Sequence, residues 1–151
     1  MARFSGEEAA AVAAIQQVIN EWGDELDTNS GLKIADAGVL TNDVQYFVGG
    51  EWREGIGATA QFYKDRWDRL TAAGGAPVMR HVHGNYRVSF AAQDHASVGF
   101  LLLFFAKVGE PPFNGYCDPL AVADVRMECR RDAGGDWKIS RFDSEQIFQR
   151  G

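Results

Sequence analysis

The sequence predicts an α+β fold in which N-terminal helices pack on a strongly curved antiparallel sheet, giving a cone-shaped molecule that encloses a pocket. Helical periodicity and capping residues dominate the first half of the chain, whereas the second half is almost entirely strand-like, with short turn signals between segments. The 151 residues are enough for one sizeable core, so we expect residues 1–151 to form a single domain.

The first helix is expected to begin at Ser5, since Ser5 and Glu8 have the spacing of a capping box. Apolar residues then recur at helical spacing on one face: Val12, Ile15, Ile19, Trp22 and Leu26. The segment "DTNSG" (residues 27–31) ends the helix, and a short second helix is predicted over residues 31–39.

The middle of the chain predicts a strand and a further helix. The segment "DVQYFVGG" (residues 43–50) reads as a strand that runs into a Gly49-Gly50 turn. The helix, at about residues 55–72, has one apolar face and ends at "AGGAP". That face comprises Ile56, Ala60, Tyr63, Trp67 and Leu70.

Four long strands are predicted in the second half, over residues 78–91, 96–108, 119–131 and 136–148. Turn signals at Gln93-Asp94 and Gly134-Gly135 favour antiparallel hairpins, and residues 109–119 form a longer loop. The segment "VGFLLLFFA" (residues 98–106) is apolar on both faces of its strand. One face can line a pocket, and a second subunit is the simplest cover for the other, so we expect a homodimer through the sheet.

Charge and composition argue against several functions. The formal net charge is −6 and the pI is about 5.0, which disfavours nucleic acid or an anionic membrane as a partner. No long apolar run and no secretory leader are present, and the two cysteines are isolated. We therefore expect a cytoplasmic protein with reduced thiols.

Two of the three histidines lie one residue apart in "MRHVHGNYRVSF" (residues 79–90). Strict alternation would put His81 and His83 on the face of Asn85 and Arg87, whereas a bulge at Gly84 would let His81 join Val88 inside. A metal site is a weaker alternative, because a His-x-His pair needs a third ligand and the sequence offers no clear one.

Three further charged residues are candidates for the functional site: Asp27, Arg141 and Asp143. Asp27, at the end of the first helix, either caps that end or orients the His81 ring, which would then act as a general base. On the last strand, Arg141 and Asp143 share a side with Trp137. They form either a simple ion pair at the mouth of the cone or a site in which Arg141 holds a polar substrate group.

This layout resembles the SnoaL-like branch of the nuclear transport factor 2-like (cystatin-like) superfamily, over nearly the whole chain. The resemblance is carried by "AIQQVINEWGDELD", "LTNDVQYFVGG", "RHVHGNYRVSF" and "ADVRMECRRDAGGDWKISRF", in the order that the superfamily uses. Within it, the chain looks most like the scytalone dehydratase and dehydrochlorinase group. Trp22 stands where the dehydrochlorinase has a lysine, which makes halide removal the less favoured reaction.

The resemblance implies a cofactor-free lyase of the dehydratase type, or an isomerase, acting on a small hydrophobic substrate. It places the family's aspartate on Asp27, its histidine on His81 and, within a residue of register, its arginine on Arg141. Asn85 lies four residues beyond the histidine, and the carbonyl-polarising tyrosines have no clear counterpart. Residues that could contact substrate, or equally be plain core, are Trp22, Tyr46, Phe47, Phe62, Tyr63, Trp67, Asn85, Phe104 and Asp143.

Two other functions remain open on the sequence. The first is a non-catalytic small-molecule-binding protein, or a subunit like the β subunits of ring-hydroxylating dioxygenases, which share this fold. The second is an enzyme resembling ketosteroid isomerase, in which a lone carboxylate, Asp43 or Asp143, would shuttle the proton without His81.

Overall fold

The computed structural model describes residues 2–150, which form two helices and one open six-stranded sheet. The predicted α+β class is confirmed, and two of the three predicted helices are present. In chain order the elements are α1 (Gly6–Asn29), β1 (Leu40–Val48), β2 (Glu51–Glu54), α2 (Ile56–Ala72), β3 (Val78–Ala92), β4 (His95–Lys107), β5 (Ala121–Arg131) and β6 (Trp137–Gln149).

Helix α1 begins and ends on local hydrogen bonds. The Ser5 hydroxyl accepts the Glu8 N–H and the Glu8 carboxylate accepts the Ser5 N–H, which confirms the predicted capping box. At the other end Ser30 adopts the left-handed conformation (φ 55°) and donates its N–H to the Glu25 carbonyl. The helix therefore continues past Asp27, which lies in its last turn.

The predicted second helix over residues 31–39 is wrong. The segment is a series of turns, in which the Leu32, Ile34 and Asp36 amides each donate to a carbonyl three residues earlier. Gly31 and Gly38 both have a positive φ, which a right-handed helix does not accommodate. The buried Glu25 carboxylate accepts the Lys33 N–H and so fixes this segment against α1.

The sheet has the strand order β2-β1-β6-β5-β4-β3. Its neighbours pair antiparallel except β1 and β6, which run parallel, so the sheet is mixed and not wholly antiparallel as expected. Strand β2, which the sequence pattern did not indicate, forms a hairpin with β1 across Gly49 and Gly50. Helix α1 packs against β3 and β6, and α2 against β1 and β2, so both helices cover one face, called the inner face below.

Two bulges decide which side chains reach the inner face. Between Gly84 and Arg87, β3 has one residue more than β4, and Asn85 there has a φ of 56°. Ser140 is likewise an extra residue of β6 opposite β5, and its hydroxyl donates to the Glu128 carbonyl. Each bulge reverses the alternation of the residues that follow it.

Candidate active site

A cavity of about 500 Å³ opens between the helices and the inner face of the sheet. Most of its wall is apolar or aromatic, with contributions from both helices and five strands. Four polar side chains interrupt this wall: Arg66, His81, Ser144 and Gln146. Its volume lies within the range of about 300–1,000 Å³ that is usual for small-molecule sites.

His81 and Asp27 meet at this wall. The His81 Nδ1 lies 2.6 Å from Oδ1 of Asp27, and the two side chains are only 9% and 13% exposed. The backbone N–H of His81 donates to both carboxylate oxygens, at 3.1 and 3.0 Å. The backbone of His81 therefore fixes the Asp27 carboxylate, and that carboxylate in turn orients the His81 ring.

This geometry selects one form of the imidazole ring. Because a carboxylate only accepts hydrogen bonds, the contact with Asp27 places the ring proton on Nδ1. The second ring nitrogen, Nε2, has no hydrogen-bond partner among residues 2–150. The ring itself packs beside Phe104, at 4.8 Å between centroids, and edge-on to Trp22. His81 thus presents a basic lone pair at the edge of an apolar cavity.

The bulge in β3 accounts for the inward position of His81. The register of β3 on β4 slips between Gly84 and Arg87, so that His81 and His83 share the inner side with Tyr86, Val88 and Phe90. Of the two orientations left open by the sequence, the structure adopts the one in which a bulge follows Gly84. Both histidines, and not His81 alone, face inward.

Three aromatic side chains form a hydrogen-bonded chain along the cavity. The indole N–H of Trp22 donates to the Tyr46 hydroxyl at 2.8 Å, and the hydroxyls of Tyr46 and Tyr63 lie 2.7 Å apart. Since the indole can only donate, one lone pair of Tyr46 is occupied. Tyr46 can then donate to Tyr63, which leaves the Tyr63 proton free to reach a ligand.

Both phenols remain protonated at neutral pH. Burial raises the pKa of Tyr63 to about 12, against a weaker opposing effect of its hydrogen bond with Tyr46. Burial also raises the pKa of Tyr46 well above 10, and the neighbouring Tyr63 adds to this. The pair can therefore donate hydrogen bonds but is not suited to act as a base.

His83 lies behind the cavity wall. Its ring stacks on Trp22 with centroids 5.6 Å apart, and its buried Nε2 has no hydrogen-bond partner among the described residues. Burial, together with the charge of His81, lowers the pKa of His83 to about 4, so the ring is neutral at neutral pH. It lies so close to α1 that a Cβ at Gly23 would be 2.7 Å from its Cε1.

Six of the residues expected at the site line the cavity: His81, Trp22, Tyr46, Phe47, Tyr63 and Phe104. Asp27 reaches it through its contact with His81. The structure therefore brings together the acid and the histidine that were selected from the sequence. Tyr86 hydrogen-bonds Asn20 on α1 and is not part of the cavity wall.

The predicted inward positions of Arg141 and Asp143 are wrong. The Ser140 bulge reverses the alternation of β6, so that Phe142 faces the cavity and its neighbours face outward. The Arg141 guanidinium lies over the Trp52 ring at 4.6 Å, and Asp143 lies 3.6 Å from Arg126. The simple Arg141–Asp143 pair is not formed either.

Three further residues predicted to contact substrate do not line the cavity. Asn85 is exposed, because it is the residue at the β3 bulge. Phe62 packs beneath the β1–β2 turn, with the Arg53 guanidinium 5.0 Å from its ring centre. Trp67 is half-buried elsewhere on α2. Asp43, considered as a lone base, is exposed and pairs with Arg130.

The sequence pattern did not identify three of the polar cavity residues. Ser144 and Gln146 face the cavity only because the Ser140 bulge changes the alternation of β6, and nothing in the sequence marks that bulge. Arg66 follows Tyr63 by three residues, which places both on one side of α2. That spacing would have been a usable signal for Arg66.

The part of the chain that the structure describes also bears on metal binding and on membrane crossing. No cluster of three or more histidine, cysteine, aspartate or glutamate side chains is arranged to hold a metal ion within residues 2–150. Neither α1 nor α2 combines the length and the apolarity that crossing a membrane would require.

The model of the SnoaL-like domain family matches residues 7–143 of this chain. No match was found among curated proteins. Solved structures are similar in fold at low identity, among them hexachlorocyclohexane dehydrochlorinase LinA-type3 from Novosphingobium barchaimii LL02. It is 19% identical, with a TM-score of 0.72 over 94% of this chain and 90% of that chain.

Two other solved structures are similar over comparable lengths. A protein from Catenulispora acidiphila is 17% identical, with a TM-score of 0.76 over 94% of this chain and 95% of that one. A nuclear transport factor 2-like protein with a cystatin-like fold, from Novosphingobium aromaticivorans, is 20% identical, with a TM-score of 0.69 over 97% and 92%. At these identities the similarity establishes the fold and not the activity.

Proposed function

Because this chain belongs to the SnoaL-like domain family, we propose that it is a cofactor-independent lyase of the dehydratase type, in which Asp27 and His81 remove a proton from a small hydrophobic substrate. The observation that carries the proposal is the 2.6 Å contact between His81 Nδ1 and Asp27, made at the wall of a cavity of about 500 Å³. One protein of similar fold is named as a dehydrochlorinase, a type of enzyme that catalyses an elimination. The dehydration proposed here is also an elimination.

The first step uses the free ring nitrogen of His81. Nε2 takes a proton from a substrate carbon beside a carbonyl group, and the C–H electron pair forms the C=C bond of a transient enolate as the carbonyl π electrons move to the oxygen. The ring becomes an imidazolium, whose charge the Asp27 carboxylate stabilises through Nδ1. Because the ring is almost fully buried, this electrostatic stabilisation is stronger than it would be in water.

The second step removes a hydroxyl group from the neighbouring carbon. The C–O bond breaks, its electron pair leaves with the oxygen, and the imidazolium proton converts the hydroxide to water. Tyr63, or Tyr46 through it, can donate a hydrogen bond to an oxygen that gains charge in this step. If the proton instead returns to another carbon, the same groups catalyse an isomerisation.

The cavity favours substrates with an apolar body. Leu102, Phe104 and Phe142 supply aliphatic and aromatic surface opposite the helices. Excluding water from this surface contributes binding energy and prevents solvent from protonating the carbanionic intermediate.

The proposal can be tested by turnover of cyclic β-hydroxy ketones, followed by the absorbance of the conjugated enone. We expect His81→Ala to lower kcat/KM by about 10²–10⁴-fold, the range for loss of a general base. Asp27→Asn should also be strongly impaired. Matched controls are His95→Ala and Asp24→Asn, because both residues are more exposed and lie outside the cavity.

Both controls should retain activity and all four variants should fold. Full activity in His81→Ala would remove the histidine from the mechanism. Ligand binding by the wild-type protein without turnover of any substrate would contradict catalysis and leave a binding protein.

A further inference from the structure

Arg66 occupies an unusual position for an arginine. It lies on α2 one turn after Tyr63, is only partly exposed and forms part of the cavity wall. Its Nη2 donates to the Met79 sulfur at 3.3 Å, and the sulfur of methionine is a weak acceptor. A guanidinium group has five N–H donors, so most of its hydrogen-bonding capacity is not used by the protein.

No acidic side chain compensates this charge. Within residues 2–150, no aspartate or glutamate lies within ion-pair distance of Arg66, and none is part of the cavity wall. On the same helix Lys64, which is exposed, does have a partner in Asp68. Placing a cation against an apolar wall is costly unless an anion or a strong acceptor joins it.

Tyr46 and Tyr63 line the same cavity as Arg66, and Tyr63 lies one helical turn before Arg66 on α2. The Arg66 charge opposes the increase that burial causes in the pKa of each phenol. The Arg66 cation and the free O–H donor of Tyr63 therefore line one cavity, and within residues 2–150 no carboxylate side chain is part of its wall. Charged and neutral donors in this combination are typical of sites that bind an oxyanion.

We propose that Arg66 is the specificity-determining residue of this cavity and that the ligand is an amphipathic carboxylate. The ligand's carboxylate binds the guanidinium, with Tyr63 as a second donor, while its apolar body lies against Phe104 and Phe142. The inference uses the cavity of the proposed lyase and names the substrate class of that enzyme, so in that sense it rests on the proposed function.

The test compares two ligands of nearly the same size, 2-naphthoate and 2-naphthamide, by isothermal titration calorimetry at neutral pH. The wild-type protein should bind the carboxylate at least about tenfold more tightly, which corresponds to about 1.4 kcal/mol. Arg66→Met keeps an unbranched apolar stem but removes the guanidinium charge, so this preference should vanish. Arg69→Met is the matched control, because Arg69 is exposed on the same helix and lies outside the cavity.

Arg66→Lys provides a second variant if Arg66→Met does not fold. It retains the charge but not the planar pair of donors, so the preference should be reduced and not abolished. Three results would overturn the proposal: equal wild-type affinity for the two ligands, no binding of either one, or a carboxylate preference that survives in a folded Arg66→Met protein.

His81→Ala separates this inference from the proposed reaction. The variant should bind 2-naphthoate with the wild-type preference, since His81 does not hold the carboxylate. If that preference persists but the wild-type protein has no lyase activity, the reaction is wrong and the ligand class stands. If His81-dependent turnover of neutral substrates occurs without the preference, the role of Arg66 is wrong and the reaction stands.

Discussion

At the scale of single residues, His83 illustrates how a buried polar group can depend on its neighbours. Its ring lies between Trp22 and Phe100, and the absence of a side chain at Gly23 makes room for it. The buried Nε2 has no hydrogen-bond partner within the described chain, so water cannot stabilise a charge there. The native state consequently resists protonation of His83.

This resistance predicts a specific dependence of stability on pH. The pKa of His83 is about 4 in the folded chain, against 6.5 for a histidine in water, mainly because of burial. Between these pH values the unfolded chain binds more protons, so the free energy of unfolding should fall as the pH decreases from 6.5 to 4. Above pH 6.5, His83 should not make the free energy of unfolding depend on pH.

Urea unfolding of His83→Phe across this pH range checks the prediction, because phenylalanine cannot be protonated. Its stability should fall less steeply from pH 6.5 to 4 than that of the wild-type protein. His95→Gln, at an exposed histidine, is the control. Equal slopes for wild type and His83→Phe would show that His83 is not the group responsible.

Residue patterns predicted part of the site. The Asp27 and His81 pair could be selected because each has a position and a chemistry that fit the resemblance. Arg66 was not selected, since a basic residue on a helix is usually solvated and its orientation depends on how α2 packs. Arg141 was placed wrongly, because its orientation depends on an inserted residue in β6 that leaves no mark in the sequence.

At the scale of the secondary structure elements, the bulge in β3 determines how the strand faces α1. The residues before it place both histidines on the inner side, and those after it place Tyr86, Val88 and Phe90 there. Asn85 adopts a φ of 56° at this point. Asparagine tolerates the left-handed region better than most residues, whereas β-branched residues do not.

The effect of a substitution at Asn85 on stability should therefore depend on how well the new residue tolerates a positive φ, and not on the contacts of its side chain. Asn85→Gly should be nearly neutral, whereas Asn85→Val should lower the free energy of unfolding by about 1–2 kcal/mol. Ser89→Val, at an exposed position of the same strand with an ordinary φ, serves as the control for β-branched substitution. Chemical denaturation measures both effects, and a stable Asn85→Val protein would show that the bulge does not require this conformation.

The elements themselves were largely predictable. Periodicity located both helices, a capping box located the start of α1, and turn signals located the long strands to within a few residues. The expected helix at residues 31–39 is absent because Gly31 and Gly38 take a positive φ, which the sequence does not reveal. Strand β2 was missed because its four residues are too few to establish an alternation.

At the scale of the whole molecule, the outer face of the sheet carries an apolar row. Val82, Leu103, Val122 and Phe148 are successive partners across β3, β4, β5 and β6. Val82 is 49% and Phe148 68% exposed, and both helices pack on the opposite face. Contiguous exposed apolar surface of this kind usually marks an interface.

We propose that a second copy of the chain covers this row. Beside it, Arg126 lies on the same face as Asp124 and Asp143, so the surface carries both signs of charge. A two-fold dimer requires a self-complementary surface of this type. A sheet-mediated homodimer was the expectation from the two-sided apolarity of β4.

The mass in solution tests the dimer. The wild-type protein should have twice the chain mass of 16.6 kDa by light scattering after size exclusion. Leu103→Lys should be a folded monomer, because it places a charge at the centre of the row. Leu32→Lys, at an exposed position outside the sheet, should remain dimeric. A monomeric wild-type protein, or a dimeric Leu103→Lys variant, would contradict this arrangement.

The order of helices and strands was enough to predict the fold class and the family, because both depend on patterns that extend over the whole chain. The parallel pairing of β1 with β6 was not predictable, since it joins segments about a hundred residues apart and no local signal specifies it. The cavity depends on the same long-range contacts. The sequence therefore predicted some individual residues of its wall, but not the cavity as a whole.

We propose that Asp27 acts through His81 as one catalytic unit, and the values of kcat/KM in a double-mutant cycle distinguish this from two independent contributions. The four proteins are the wild type, His81→Ala, Asp27→Asn and the double variant, assayed with one substrate. If the carboxylate works only by holding the ring, the double variant should be no slower than His81→Ala, so the two losses do not multiply. Losses that multiply fully, or an Asp27→Asn protein as fast as the wild type, would contradict the claim.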